Sequence, residues 1–191
     1  MANPQGTNQP VTATVYIWYP KDINVGHSSM HIGAGKDARD TERYVSWWPE
    51  KNDKRTTIVT PNNASNIHTL DEDKNSEDAA PHVEFELYGL KVSEMLATWT
   101  LIKNKENSHY KLYNKNCADI VARVLKAGGA DQSLNQFQKL SYTQNTYWTP
   151  RNLAEWLNIL RDKGLAKKTK NNFEYPGRGG VNLVRVAVGL R

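Results

Sequence analysis

The apolar residues of this chain change their spacing once, near residue 90, and that change restricts the fold more than any other feature. Before it they come in short β-branched and aromatic runs; after it they recur every three or four positions. Val11 to Tyr19 is a buried strand closed by Pro20, and His27 to Ile32 is a second. Arg43 to Trp48 forms a third strand, stopped by Pro49, and Thr56 to Thr60 a short fourth. His82 to Tyr88 alternates apolar and polar residues, the pattern of a strand with one wet face. Three helices follow. Val92, Met95, Leu96, Trp99 and Ile102 make one stripe; Ile120, Val121, Val124 and Leu125 make another, ending at Gly128-Gly129. The third runs from Thr149-Pro150 through Leu153, Trp156, Leu157 and Leu160 to Gly164. Asn182 to Val188 supplies a closing strand. Strands first and helices later define an α+β fold, an antiparallel sheet packed against helices.

A chain of 191 residues makes one domain with a core of its own. Residues 1–10, rich in Pro, Gly, Asn and Gln, form a flexible tail, and 11–191 a single catalytic domain. Residues 61–81, acidic and bracketed by prolines, are expected as a long exposed loop. With one cysteine, no internal disulfide can form. The N-terminus has neither the basic nor the apolar region of a signal peptide, and no stretch is apolar enough for a transmembrane segment. Net charge is +5, concentrated late: residues 151–191 carry nine Lys or Arg against three acids. Such a face suits an anionic partner or is an ordinary solvated surface. It lacks the aromatic–basic interleaving of a nucleic-acid module.

The chemistry-bearing residues centre on Cys117. It ends the polar run Asn114-Lys115-Asn116 and opens the second helix, whose apolar stripe starts only at Ile120. A thiol at a helix N-terminus meets unsatisfied N–H groups and the positive end of the helix dipole, which favour thiolate, as would Lys115. Ninety residues earlier, Gly26-His27 opens a strand and offers an imidazole base. His27 and His31 are four apart; on a strand that separates them by about 13 Å, too far to share one ion. No metal or other cofactor is expected. His68, His82 and His109 read as surface residues, with His109 a weaker alternative base. Trp47-Trp48-Pro49 reads equally as cleft lining or as core, and Gly177 to Gly180 as a turn.

Gly26-His27-Ser-Ser-Met-His31-Ile-Gly33, Tyr44-Val-Ser-Trp-Trp-Pro49 and Tyr110 through Asn116-Cys117 resemble circularly permuted papain-like hydrolases. These are the permuted relatives of NlpC-type cell-wall peptidases, lecithin:retinol acyltransferase-like proteins and Rho-inactivation domains of large bacterial toxins among them. There the histidine strand precedes the nucleophile helix, as it does in this chain over residues 12–130. The resemblance implies Cys117 as nucleophile, His27 as base and, at the third position, Ser46, where the family more often has histidine. A serine hydroxyl accepts the imidazole N–H but cannot balance its charge, so Asp40 and Glu42 stay open as substitutes. Tyr110 is a candidate donor to the oxyanion, or simply a core or surface tyrosine.

The expectation is a cysteine hydrolase that cleaves an amide through a thioester at Cys117. A peptidoglycan-degrading antibacterial effector comes first, carried by a secretion system such as type VI from the bacterial cytoplasm to a target periplasm and paired with an immunity protein. A lipid esterase or acyltransferase of the same fold comes second. The competing class is a binding domain that has lost activity.

Overall fold

A computed structural model describes residues 9–20, 26–34, 40–50, 62–66, 68–106, 109–110, 115–142 and 148–171. Within them the chain is α+β, with an antiparallel sheet packed against helices. The expected strands at 56–60 and 182–188, and most of the 1–10 tail, fall outside the described residues.

Five strands form the main sheet: β1 (Val11–Trp18), β2 (His27–Ile32), β3 (Tyr44–Val45), β6 (Val83–Tyr88) and β8 (Ala166–Lys170), in the order β3-β2-β1-β6-β8. Every neighbouring pair is antiparallel. A smaller sheet joins β4 (Trp48–Pro49), β5 (Asn62–Ser65) and β7 (His109–Tyr110). The expected third strand is thus two short strands in two sheets, broken at Ser46 and Trp47.

Period-two alternation separates the faces of the main sheet. Ala13, Val15 and Ile17 stand opposite Ile32, Met30 and Ser28 on one side and Leu87, Phe85 and Val83 on the other. This face carries the core, covered by α2 (Val92–Lys103), α3 (Cys117–Ala127) and α5 (Pro150–Asp162). Their apolar stripes are those the three-and-four spacing marks: Met95, Trp99 and Ile102; Ile120, Val121, Val124 and Leu125; Leu153, Trp156, Leu157 and Leu160, all buried. Burying one such side chain stabilises by about 1.5–3 kcal/mol relative to leaving it in water.

The opposite face carries Tyr16, Trp18, His27, Ser29 and Tyr44, and a helix covers it too. α1 (Leu70–Glu77) packs Leu70 against the Tyr16–Trp18–Tyr44 cluster, and the Trp18 indole donates to the Ala79 carbonyl just beyond the helix (2.8 Å). The described residues of 61–81 therefore form a strand and a helix instead of the exposed loop the composition suggests. Thr69 and Glu72 form a reciprocal capping box that starts α1, and Asp78 ends it in the left-handed conformation (φ 51°). Beyond α3 the chain adds α4 (Gln136–Tyr142), then α5, then β8 at the sheet edge. Pro150–Asp162 and Ala166–Lys170 thus brace the sheet.

Candidate active site

His27 begins β2 directly after Gly26, whose φ of +77° belongs to the region that glycine tolerates. A Cβ there would lie 2.5 Å from the Trp18 carbonyl oxygen, so the approach that sets His27 opposite Trp18 requires glycine. Cys117 is the first residue of α3, and Asn116 is its N-cap, accepting from the Asp119 N–H at 3.0 Å while the Asp119 carboxylate accepts the Asn116 N–H at 3.1 Å. Strand start and helix start meet: the Cys117 side chain lies close enough to the His27 imidazole to act on its protonation. Cys117 is buried, 5% exposed, and lies outside the main hydrophobic cluster.

The carboxylate that completes the cluster comes from α1. Asp73, the one buried residue of that helix, accepts from four donors. Its Oδ2 lies 3.1 Å from His27 Nε2 and 2.6 Å from the Tyr44 hydroxyl. Its Oδ1 accepts the Ser46 hydroxyl at 2.9 Å and the Trp48 indole N–H at 2.7 Å. Nε2 being occupied, Nδ1 is the ring nitrogen left for the sulfur. Ser46 also approaches His27 Nε2, at 3.4 Å, but its proton goes to Asp73. Ser46 is thus a hydroxyl between imidazole and carboxylate, beside the charge the third position calls for. Asp40 and Glu42 are used elsewhere: Asp40 faces His31 at 3.4 Å and caps a turn, and Glu42 pairs with Lys103 at 2.5 Å.

Burial alone pushes the His27 pKa down. The Asp73 charge, then the Cys117 charge, then hydrogen bonds to both, outweigh it and hold the imidazole up to about 10. For Asp73 burial pushes upward, and the His27 charge with hydrogen bonds from His27, Tyr44 and Trp48 brings it down to about 2. Both shifts favour imidazolium facing carboxylate at neutral pH.

Aromatic rings enclose the imidazole. Trp48 stacks on it, centroids 4.2 Å apart and planes 23° from parallel, and Trp18 lies at 5.5 Å. Adjacent Trp47 points the other way into the core, with the Lys115 ammonium over its ring at 5.3 Å, so the Trp-Trp pair divides between core and site. Tyr110 is buried in the core on β7. His82, expected at the surface, is buried, and its Nδ1 accepts the Tyr19 N–H (3.0 Å). His68 is half-buried, near Ser65 Oγ and Trp48, and His109 is exposed. Among the described residues no group of three or more His, Cys, Asp or Glu could hold a metal ion.

The residues beside the thiol also anchor the later part of the chain. The Asn116 amide donates to the Trp148 carbonyl (2.9 Å) and the Asp119 carboxylate accepts the Trp148 N–H (3.2 Å), just before the N-cap of α5. Burial raises the Asp119 carboxyl to about 7 against these bonds and the charges of Arg123 and Lys126.

A sequence-family model described as the IcsB middle domain matches residues 6–66 and 52–174, so the chain belongs to that family. Over 79 residues, 41% of this chain, it is 37% identical to the multifunctional-autoprocessing repeats-in-toxin of Vibrio vulnificus and to that of Vibrio cholerae serotype O1. Those segments are about 2% of the length of either toxin.

Proposed function

We propose that this chain is a cysteine enzyme of the permuted papain-like type, working within a bacterial toxin or effector. Supporting the chemistry, above all else, is the convergence of a helix-start thiol, an imidazolium and a buried carboxylate from three separate elements. Supporting the toxin role are membership of the IcsB middle-domain family and the name of the Vibrio relatives.

The Cys117 sulfur attacks a carbonyl carbon as thiolate, forming the C–S bond and an oxyanion. The backbone N–H of Cys117, which helix geometry leaves without an intrahelical acceptor, donates to that oxyanion. When the tetrahedral intermediate collapses, His27 gives its Nδ1 proton to the departing amine or alkoxide, leaving a thioester on Cys117. His27 then takes a proton from the second nucleophile, water or an acceptor, as that nucleophile attacks the thioester and releases the sulfur. Asp73 holds the ring by Nε2 and balances its charge throughout, the role a carboxylate plays in Ser-His-Asp sites. Water as second nucleophile gives a hydrolase, and an acceptor gives an acyltransferase.

Two substrate classes follow from one chemistry: a peptide amide, with peptidoglycan stems the first case, and a lipid ester or acyl donor. Incubating wild type and Cys117→Ala with purified peptidoglycan, with phospholipid vesicles and with acyl donors separates them. Muropeptide release or acyl release by wild type alone supports the corresponding class; identical product profiles for both proteins in all three incubations refute the enzyme.

A further inference from the structure

We propose that Trp48 is a positioning residue that grips both members of the His27–Asp73 pair, its indole face against the imidazole and its N–H on the carboxylate, and so fixes the ring plane presented to Cys117. The proposal rests on the cysteine-enzyme reading above.

Trp48 meets the imidazole in a near-parallel stack, 4.2 Å between centroids and 23° between planes, and reaches Asp73 Oδ1 with Nε1 at 2.7 Å. The two contacts use different parts of one rigid ring. An indole face is the negative side of its quadrupole and attracts the cation above it. An indole edge is a donor, and a donor to a carboxylate makes a charge-assisted bond. One side chain therefore stabilises the imidazolium and the carboxylate together, and moving either member breaks one contact or strains the other.

The other groups on Asp73 do only part of this. Tyr44 donates to Oδ2 at 2.6 Å, its hydroxyl held in turn by Ser29 at 2.7 Å. Ser46 reaches both His27 and Asp73, but through one freely turning hydroxyl. Trp18 meets His27 at 5.5 Å and 44°, and its N–H is committed to the Ala79 carbonyl.

The backbone that carries Trp48 is itself pinned. Trp48 pairs with Ser65, and Pro49 with Ala64, between β4 and β5. His68, near Ser65 Oγ at 3.1 Å, packs on Trp48 with centroids 6.1 Å apart. The indole is only half-buried, so it stands at the outer wall of the site.

The ionisable groups facing His27 are Asp73 from α1, Cys117 from α3, and His68 just before α1. Tyr44, from β3, faces Asp73. Changing Trp48 alters none of these charges directly, so a shift in His27 titration reports the grip itself.

The test uses the full 191-residue chain. The His27 titration is followed by NMR, and the rate of Cys117 alkylation by iodoacetamide is measured across pH. Trp48→Phe keeps a ring face and loses the N–H; Trp48→Leu loses both. Trp48→Phe is expected to lower the His27 pKa by about one unit, a tenfold change in proton affinity, and Trp48→Leu by more. The pH profile of alkylation should shift with each. Far-ultraviolet dichroism identifies any variant that fails to fold, and Trp48→Phe, the milder change, then carries the test. Folded variants with the wild-type His27 titration and alkylation profile overturn the proposal. A separate outcome sinks the reading beneath it: if His27→Ala and wild type show the same alkylation profile, the thiol is not coupled to the imidazole at all.

Discussion

Replacing Asp73 by Asn changes little in shape and much in charge. In the native site four donors converge on two carboxylate oxygens: His27 Nε2, the Tyr44 and Ser46 hydroxyls, and the Trp48 indole. An amide offers one oxygen to those four and points an NH2 group at the rest, at a position that is itself fully buried. The Asp73 charge is the largest of the influences that raise His27, burial still lowers it, and Cys117 remains. The His27 pKa should therefore fall from about 10 by two units or more, about 3 kcal/mol at 1.4 kcal/mol per unit. Taking one partner out of a buried pair typically destabilises by about 3–5 kcal/mol. For a chain of this size that lowers the melting midpoint by roughly 6–20 °C. NMR titration of the histidine and a thermal melt read both quantities, and turnover of whichever substrate proves active should drop at least about 100-fold. An unchanged His27 titration in a folded Asp73→Asn protein would refute the reasoning, since the imidazole would then owe its proton to something else.

Four further outcomes follow from the same geometry. Cys117→Ser should keep the wild-type melt and lose turnover, because the change is small and the hydroxyl a far weaker nucleophile. Stability against pH depends on three buried groups whose signs differ. His27, at about 10 folded against 6.5 unfolded, contributes fully below pH 6.5 and loses that contribution as pH rises through 10. Asp73, at about 2 against 3.8, contributes fully above pH 3.8 and loses it as pH falls through 2. Asp119, raised to about 7, adds stability as pH falls from 7 towards 4, so urea midpoints should peak on the acid side of neutrality. Asn116→Ala removes the cap of α3 and the bond to the Trp148 carbonyl, and should cost about 2 kcal/mol in a urea titration. Gly26→Ala meets the Trp18 carbonyl and an unfavourable φ, and should lower the melt while slowing Cys117 alkylation.

The thiol and the imidazole that meet in the structure were legible because each sits at a punctuated boundary. Cys117 follows a polar run and precedes an apolar stripe, and His27 follows a glycine. The carboxylate was hidden by its surroundings. Residues 71–78 carry five acids and one Lys, the composition of a wet loop, and α1 buries only Asp73 among its eight residues. No apolar periodicity can mark such a helix. The one local signal was Thr69-Leu-Asp-Glu72, the spacing of a capping box ahead of the acidic run. That Asp73 turns inward follows from tertiary pairing with His27, Tyr44, Ser46 and Trp48, which lie 25 or more positions away in the chain. β8 was hidden for a related reason: Ala-Lys-Lys-Thr-Lys has almost no apolar content, and its place comes from pairing with β6 and from packing Ala166 inward. Lysines on an edge strand also discourage pairing with another chain.

The most direct test of the central claim is intact-protein mass spectrometry after incubation with candidate peptide and acyl substrates. A mass increment that maps to Cys117, disappears with hydroxylamine and is absent from Cys117→Ala and His27→Ala is the predicted result. Unmodified protein under conditions where substrate is consumed, or an increment on another residue, would contradict it.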